Sequence, residues 1–198
     1  MKGTKQHRQK LAVVASRIVI LLFLAQRSIS YYGITPQGGV IMADKTKLGY
    51  TFPPYTFVAE RGKMKEFAMA ISQKENEGGV DPLYVDKEAA IKAGYTDIIA
   101  TPTFTTCCAM WGGGGLMKIV ADLGIDIFRL LHGEESYEYF APIHPGDVLT
   151  SSMKVVDIYQ KEKKDKPGRF MDFTLLETTI KNQAGTLVML GKTTVVER

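Results

Sequence analysis

The chain has 198 residues, which is enough for one domain with a sizeable core and too few for two ordinary domains. Its formal net charge is +4, but the first 41 residues hold six basic residues and no acidic one, so the remainder carries 19 basic against 21 acidic residues. Residues 42–198 are therefore almost neutral, which argues against a nucleic-acid-binding surface. The only cysteines, Cys107 and Cys108, are adjacent and have no metal-ligand spacing, so we expect a reduced core pair in a cytoplasmic protein, and no metal.

The first 41 residues form a leader with its own character. Basic residues up to Lys10 precede an apolar run from Leu11 to Ala25 that Ser16 and Arg17 interrupt, an order typical of a weak signal peptide or a short membrane anchor. The run is too short and too interrupted to predict a membrane span. The codons of residues 37–39 can contain a ribosome-binding sequence upstream of Met42. We therefore predict that translation begins at Met42, that residues 1–41 are misassigned upstream sequence or a disordered leader, and that residues 42–198 form one domain.

The first half of the domain alternates between strand and helix signals. The aromatic and β-branched run at 55–58 predicts a strand. Over residues 61–72 the period changes, because Met64, Phe67, Ala68 and Ile71 fall on one face of a helix. The polar stretch 73–79 predicts a loop.

A short helix follows that loop. Asp86 is placed to cap it at the N-terminus and Gly94 to end it in the left-handed conformation. Asp81 and Tyr84 then lie on the loop that leads into this helix. A longer apolar helix is predicted over 103–123, with a break or bend at the four glycines 112–115.

The last sixty residues predict a β-meander. Its strands are expected at 136–140, 147–160, 170–181 and 186–197, with a charged turn at 161–168 and a hairpin turn at 182–185. Long antiparallel strands around one apolar helix indicate the α+β class, which several folds satisfy.

Four short sequence motifs occur in an order that is typical of one family. They are Asp81-Pro82-Leu83-Tyr84-Val85-Asp86, Ala93-Gly94-Tyr95-Thr96-Asp97-Ile98-Ile99-Ala100-Thr101-Pro102-Thr103-Phe104, Leu131-His132-Gly133-Glu134-Glu135 and Pro142-Ile143-His144-Pro145-Gly146-Asp147. Together they resemble the N-terminal MaoC-type dehydratase family, which includes mycobacterial (3R)-hydroxyacyl-ACP dehydratase subunits and the fatty-acid-synthase dehydratase region. The resemblance covers Gly49 to the C-terminus.

This resemblance implies a fold and a reaction. The fold is a single hot-dog domain, in which an antiparallel sheet wraps around a central helix. The substrates are acyl thioesters carried on coenzyme A or acyl carrier protein, and no cofactor is expected. Active relatives add water reversibly across a 2-enoyl thioester, using an Asp and a His as acid and base and backbone N–H groups at the thioester carbonyl.

The residues that carry this chemistry in active relatives are missing here. Their pattern Asp-x-Asn-Pro-apolar-His, placed on Asp81 to Tyr84, puts Gly79 at the Asp position and Tyr84 at the His position. A tyrosine of ordinary pKa is a poor base at neutral pH. The His-Gly pair of active hydratases corresponds to Thr101-Pro102, and proline has no N–H to donate. The resemblance therefore implies the dyad-lacking branch, with no confident catalytic residue in this chain.

Four residues are fallback candidates for a displaced acid/base set: Asp81, Asp86, His132 and Glu134. Asp81 more simply caps a turn before Pro82. His132 and Glu134 are interpreted as hydrogen-bonding residues of a Gly-containing turn before the sheet, and His144 as a solvated loop histidine.

Eight residues are candidates for the acyl site. Tyr84, Pro102 and Tyr139 are assigned to substrate binding by the resemblance or their position, and Trp111 and Gly112 are placed where glycines would free space for an acyl chain or admit close packing. Phe104, like Phe128, Tyr137 and Tyr139, could line a channel, although aromatic residues at such positions are more often core.

Three functions remain open. The favoured hypothesis is a non-catalytic subunit of a (3R)-hydroxyacyl-thioester dehydratase, or R-specific enoyl-CoA hydratase, that supports an Asp/His-bearing MaoC-like partner in a heterodimer or a dimer of heterodimers. The alternatives are a hydratase active alone with the displaced set, and an acyl-thioester-binding module without chemistry. Neither nucleic acid nor, for residues 42–198, a membrane is expected as a partner.

Overall fold

Six antiparallel strands form one sheet, whose order is β1-β3-β6-β5-β4-β2. The computed structural model describes residues 44–72, 79–108 and 115–198, together with the backbone of residues 10–13. In chain order, the strands are β1 Lys10–Val13, β2 Tyr55–Val58, β3 Leu130–Tyr139, β4 Val148–Glu162, β5 Phe170–Lys181 and β6 Leu187–Glu197. Strands β2 to β6 all lie within residues 42–198, and together they form the single antiparallel sheet that was predicted for this domain.

Helices cover one face of the sheet. Helix α1 spans Arg61–Ile71, α2 spans Lys87–Lys92 and α3 spans Gly115–Leu123. Short 3₁₀ helices occur at Lys45–Lys47 and Pro82–Tyr84. Residues 106–108 form a helical turn ahead of α3, and Gly115 has a φ of +71°, so the predicted apolar helix is interrupted at Gly115.

The core consists of two hydrophobic clusters. One lies beneath the residues that precede the glycine run, and the other lies beneath α3. Phe104 and Cys108 pack with Met64 of α1 against inward-facing residues of β3 to β6, among them Leu149 and Met189. Leu123 of α3 packs in the second part against strand residues that include Val155, Leu176 and Val195. Strands β2 to β5 contribute mainly alternate side chains to these clusters, as a sheet with one covered face requires.

Most local predictions are confirmed and a few are wrong. The Asp86 carboxylate accepts hydrogen bonds from the Glu88 and Ala89 N–H groups, and Gly94 ends α2 with a φ of +95°. Ile71, predicted on the same face of α1 as Met64 and Ala68, is 46% exposed, whereas those two residues are buried. Phe128, considered for the core or a channel, is 48% exposed.

Strand β3 differs most from its prediction. It begins at Leu130, six residues before the predicted start, and pairs along its length with β6. His132 and Glu134 therefore lie inside a strand, not in a turn before the sheet. A β-bulge between these two residues shifts the register with β6.

The other edge of β3 pairs with the leader. Residues Lys10–Val13 run antiparallel to it, with Lys10 opposite Glu138 and Val13 opposite Glu135. The sequence pattern of residues 10–13 did not indicate this strand. The start of translation at Met42 stays a prediction.

Candidate functional site

Three segments meet at the end of the sheet where β3 finishes. The Ile99 N–H donates to the Leu83 carbonyl, which ties the loop before α2 to the segment that leads into the apolar helix. The Ala100 N–H donates to the Ile143 carbonyl, which joins that segment to the corner after β3. The loop that resembles the catalytic loop of active relatives is thus fixed beside the Thr101-Pro102 pair.

An ion pair on the protein surface connects helix α1 to the segment that precedes Thr101. The Arg61 guanidinium donates to both carboxylate oxygens of Asp97, at 2.8 and 2.6 Å. The Lys87 Nζ lies 3.6 Å from the same carboxylate. Hydrogen bonding by Arg61, together with the Ile98 N–H, holds the pKa of Asp97 well below its usual range. Asp97 is therefore ionised at neutral pH and serves to position the segment that precedes Thr101.

The two positions of the expected dyad hold no acid/base pair. Gly79 has a φ of +67°, and an added Cβ there would meet nothing within 4 Å. Burial raises the pKa of Tyr84 above its ordinary value, and the Asp81 charge raises it further. A phenol with a raised pKa is deprotonated even less at neutral pH than an exposed one, so it is less available as a base.

The start of the apolar helix offers hydroxyl groups where active relatives offer an N–H. The Tyr139 hydroxyl donates to the Pro102 carbonyl at 2.8 Å and lies 3.2 Å from the Thr105 Oγ1. Burial raises the pKa of Tyr139 to about 12, so it remains a neutral donor. The Thr101 hydroxyl is buried and has no hydrogen-bond partner within the described residues. Sequence reasoning singled out Pro102 and Tyr139 but missed the hydroxyl of Thr101.

Two of the fallback carboxylates are helix caps. The Asp81 Oδ1 accepts from the Leu83 N–H at 2.9 Å, and the Asp86 Oδ1 accepts from the Glu88 N–H at 2.8 Å. This agrees with the turn-capping interpretation of Asp81. Both carboxylates are exposed, so they are available to water but are held by the backbone.

His132 has a carboxylate partner, but it is not Glu134. The His132 Nε2 lies 2.7 Å from the Glu135 Oε2, and the Thr193 hydroxyl donates to the other oxygen of Glu135 at 2.9 Å. This bond to Glu135 raises the pKa of His132. In a regular strand, residues three apart point to opposite faces, so the bulge after His132 is what brings the two side chains together. Glu135 could not be found from sequence spacing because the bulge is not visible there.

The fallback set does not converge on one place. His132 and Tyr139 are separated by about 20 Å along β3, given the rise per residue of a strand. Asp81 and Asp86 are near the Tyr139 end, through the backbone bond between Leu83 and Ile99. A displaced acid/base set would therefore be drawn from one end of β3 or the other, and it stays a prediction.

The remaining predicted site residues have different outcomes. Phe104 is 1% exposed and makes an edge-on contact with Phe67, so it is a core residue, as is Tyr137. Trp111 and Gly112 lie outside the described residues. His144 is not the solvated loop residue that was predicted, because its Nε2 is buried.

The cysteines are placed as unreactive thiols. Cys108 is buried and Cys107 is half-buried, and both are free. Burial raises the pKa of both thiols. Within the described ranges, no three His, Cys, Asp or Glu side chains are grouped so that they could hold a metal ion. None of the helices described is long and apolar enough to cross a membrane.

Comparison with known proteins gives one consistent result. The family model described as the FAS1-like, dehydratase domain region matches residues 46–190. A UPF0336 protein of Thermobifida fusca (strain YX) is 37% identical over 147 residues, which cover 73% of this chain and 86% of the relative. The structure of a C-terminally truncated HadBC (3R-hydroxyacyl-ACP dehydratase) complex from Mycobacterium tuberculosis aligns with a TM-score of 0.61 and 21% identity, over 76% of this chain and 96% of that one. A MaoC-like dehydratase aligns with a TM-score of 0.62 and 25% identity, over 77% of this chain and 42% of that one.

The antiparallel sheet with helices packed on one face, together with these alignments, defines a hot-dog fold of the MaoC-like dehydratase and hydratase class. Within that class, the chain belongs to the family of FAS1-like dehydratase domains.

Proposed function

We propose that this chain is the non-catalytic subunit of a (3R)-hydroxyacyl-thioester dehydratase, paired with a MaoC-like chain that carries the Asp and His. The observation that carries the proposal is the loop before α2, which is folded and fixed to its neighbours but holds Gly79 and Tyr84 at the dyad positions. A chain that keeps the backbone of the site but lacks its catalytic acid and base fits the role of a supporting subunit.

The chemistry explains why these two positions matter. Hydration of a 2-enoyl thioester needs a group that takes a proton from water and a group that gives a proton to C2. Gly79 has no side chain, and Tyr84 holds its proton more tightly than an ordinary tyrosine. At neutral pH the residues at these two positions can contact a substrate, but neither offers a base that takes the proton from water.

The site still offers contacts for an acyl thioester. The Thr101 hydroxyl, which is unpaired within the described residues, is a hydrogen-bond donor at the head of the apolar helix, and Tyr84 contributes a half-buried ring. The Tyr139 hydroxyl already donates to the Pro102 carbonyl, so Tyr139 contributes its ring and not a donor. We propose that these residues form one wall of the acyl site that the partner completes. Phe104 supports this wall from the core. We expect no cofactor and a cytoplasmic location.

The partner is inferred from the fold's edges and from a structural neighbour. Strand β3 lies at the edge of the domain's own sheet and is long, which favours pairing with another chain. The HadBC neighbour is described as a (3R)-hydroxyacyl-ACP dehydratase complex. Both observations support a heterodimer or a dimer of heterodimers.

One observation favours a second function, a hydratase that is active alone. His132 and Glu135 form a hydrogen-bonded histidine–carboxylate pair, and the pair is partly exposed. Such a pair can accept and return a proton, as a general acid/base requires. It lies at the opposite end of β3 from Tyr84, so this enzyme would use a different part of the sheet.

Hydration of crotonyl-CoA separates the two functions. The full chain is assayed alone, mixed with an Asp/His-bearing MaoC-like hydratase from the same organism, and compared with that partner alone. A supporting subunit gives activity that requires the mixture or rises greatly in it, and His132→Gln leaves that activity within about twofold.

Full activity of the chain alone would contradict the supporting role. Loss of that activity in His132→Gln and Glu135→Gln would then assign the chemistry to the second pair. A third function, binding without chemistry, is indicated if the thioester binds but no partner produces hydration.

A further inference from the structure

The turn between β4 and β5 concentrates positive charge in a domain that is otherwise acidic. Residues 161–169 contain five basic and two acidic residues, a net charge of +3, while the rest of 42–198 contains fourteen basic and nineteen acidic residues. We infer that this basic hairpin tip, defined as residues 161–169, docks an acidic acyl carrier protein that delivers the thioester. The inference rests on the proposed function and names the carrier.

The tip projects beyond the body of the sheet. Strand β6 ends at Glu197, which pairs with Asp172 of β5, whereas β4 and β5 continue to the pair Glu162 and Phe170. The turn is held by backbone hydrogen bonds, since the Lys163 N–H donates to the Arg169 carbonyl and the Arg169 N–H donates to the Lys166 carbonyl. The basic side chains are therefore displayed on an ordered, convex projection.

Internal contacts leave the positive charge of the tip available. The Glu162 carboxylate accepts from the Gly168 N–H at 2.6 Å, so it is used to close the turn. Lys161 lies over the stacked rings of Tyr159 and Phe173, with its Nζ 5.1 Å from each centroid. Across the described ranges, no ion pair involves any of the five basic residues, which are Lys161, Lys163, Lys164, Lys166 and Arg169.

The shape of the tip favours a protein over a nucleotide. A nucleotide such as that of coenzyme A is ordinarily bound in a concave site with converging polar groups. Here the charges spread along a projecting turn, which suits the extended acidic surface of a carrier protein. Complementary charge on such surfaces accelerates encounter and selects the partner.

The position of the tip is consistent with a carrier protein that delivers its thioester to the active site of the partner subunit in a dimer. In this chain the tip lies at the Leu130 end of β3, through the pairs Leu130 with Glu197 and Glu197 with Asp172, whereas Tyr139 lies at the other end. Antiparallel pairing of two β3 edges would place the partner's thioester site at the end that carries this tip. Strands β5 and β4 are two and three strands from β3, about 10–15 Å away, which a phosphopantetheine arm can span.

The test compares two triple variants of the full chain. One variant reverses the tip, Lys163→Glu, Lys164→Glu and Lys166→Glu, and spares Lys161 because it packs on the rings. The matched control reverses three exposed lysines elsewhere, Lys45→Glu, Lys92→Glu and Lys181→Glu. Binding of a purified bacterial holo acyl carrier protein and of coenzyme A is measured by calorimetry, and urea unfolding verifies that both variants fold.

We expect the tip variant to bind the carrier protein about tenfold or more weakly, and the control variant to bind it within about twofold of wild type. Wild-type binding should also weaken when the salt concentration rises from about 50 to about 500 mM. Coenzyme A binding should be the same in all three proteins. In the mixture with the catalytic partner, the tip variant should keep its rate on crotonyl-CoA and lose rate on the crotonyl carrier protein.

Two outcomes would overturn the inference. Equal carrier binding by wild type and tip variant would show that the tip does not dock the carrier, and equal loss of coenzyme A binding would assign the charges to a phosphate site. Failure of the proposed function looks different, because the wild-type mixture would then hydrate neither substrate while carrier binding could still be compared.

Discussion

At the scale of single residues, the buried Thr101 hydroxyl stands out, because it has no hydrogen-bond partner in the part of the chain that the structure describes. A buried, unpaired hydroxyl costs about 1–3 kcal/mol, so replacing it by a methyl group of similar shape should stabilise the fold. We expect Thr101→Val to raise the free energy of unfolding by about 1 kcal/mol in urea titrations.

The same variant also tests whether Thr101 binds the thioester. If its hydroxyl donates to the substrate, Thr101→Val lowers the rate of the subunit mixture although it stabilises the chain. Thr101→Ser, which keeps the hydroxyl, should retain that rate. A destabilised Thr101→Val would show that the hydroxyl has a structural partner.

A second residue-scale prediction concerns pH. The Glu135 carboxylate raises the folded-state pKa of His132 above its unfolded value, so the folded state holds the proton more tightly. This contribution to stability is fully present below the unfolded pKa, about 6.5, and is lost as pH rises through the higher folded value. We expect unfolding titrations between about pH 5.5 and pH 8.5 to show stability falling with pH, and His132→Gln to flatten that slope. An unchanged slope in the variant would contradict the role of the pair.

At the scale of elements, the close approach of β3 to β6 at the bulge requires that Gly133 has no side chain. A Cβ at this position would lie 2.8 Å from the Val196 Cγ2 and 3.1 Å from the Thr194 carbonyl oxygen, both on β6. Gly133→Ala should therefore destabilise the chain by about 1–3 kcal/mol, because the strands must move apart. Gly62→Ala is the matched control, since a Cβ there meets nothing within 4 Å on helix α1, and it should be neutral or stabilising. Equal effects of the two substitutions in urea unfolding would contradict the steric explanation.

The elements that sequence predicted well are those that depend on near neighbours in the chain. Asp86 caps α2, and the Asn182 side chain accepts from the Ala184 and Thr186 N–H groups in the hairpin turn, because each contact spans only a few residues. The strand at 170–181 was predicted with its observed bounds. These features follow from local chemistry, which the sequence displays directly.

The features that could not be predicted from the sequence depend on pairing between strands that are far apart in the chain. Residues 131–135 read as a Gly-containing turn, yet their pairing with β6 makes them strand and introduces the bulge that joins His132 to Glu135. The loss of the dyad was predicted from Gly79 and Tyr84, because it required only residue types in a known pattern. The histidine–carboxylate pair required a register shift that no single-sequence pattern reveals.

At the scale of the whole molecule, the leader and a partner chain compete for one edge. Strand β1 pairs with Glu135 to Glu138 of β3, which is the edge that we assign to the partner. Because one edge of a strand accepts only one neighbour, β1 must leave before another β3 can pair there. The two assemblies are therefore mutually exclusive along these residues.

This competition predicts that a chain starting at Met42 associates more tightly with the catalytic partner than the full chain does. Loss of a competing strand should raise the association constant by at least about tenfold, measured by sedimentation velocity, since freeing the edge removes an intramolecular competitor of high effective concentration. The full chain with Leu11→Pro and Ala12→Pro is the control, because the N–H groups of adjacent strand residues point to opposite sides, so one of the two prolines removes a donor to β3 while the leader keeps its length and charge. If the proline variant matches the full chain and only truncation strengthens association, the leader acts through its charge or bulk rather than by pairing. Equal association of all three proteins would place the partner on another surface and leave β1 as a permanent sixth strand of the sheet.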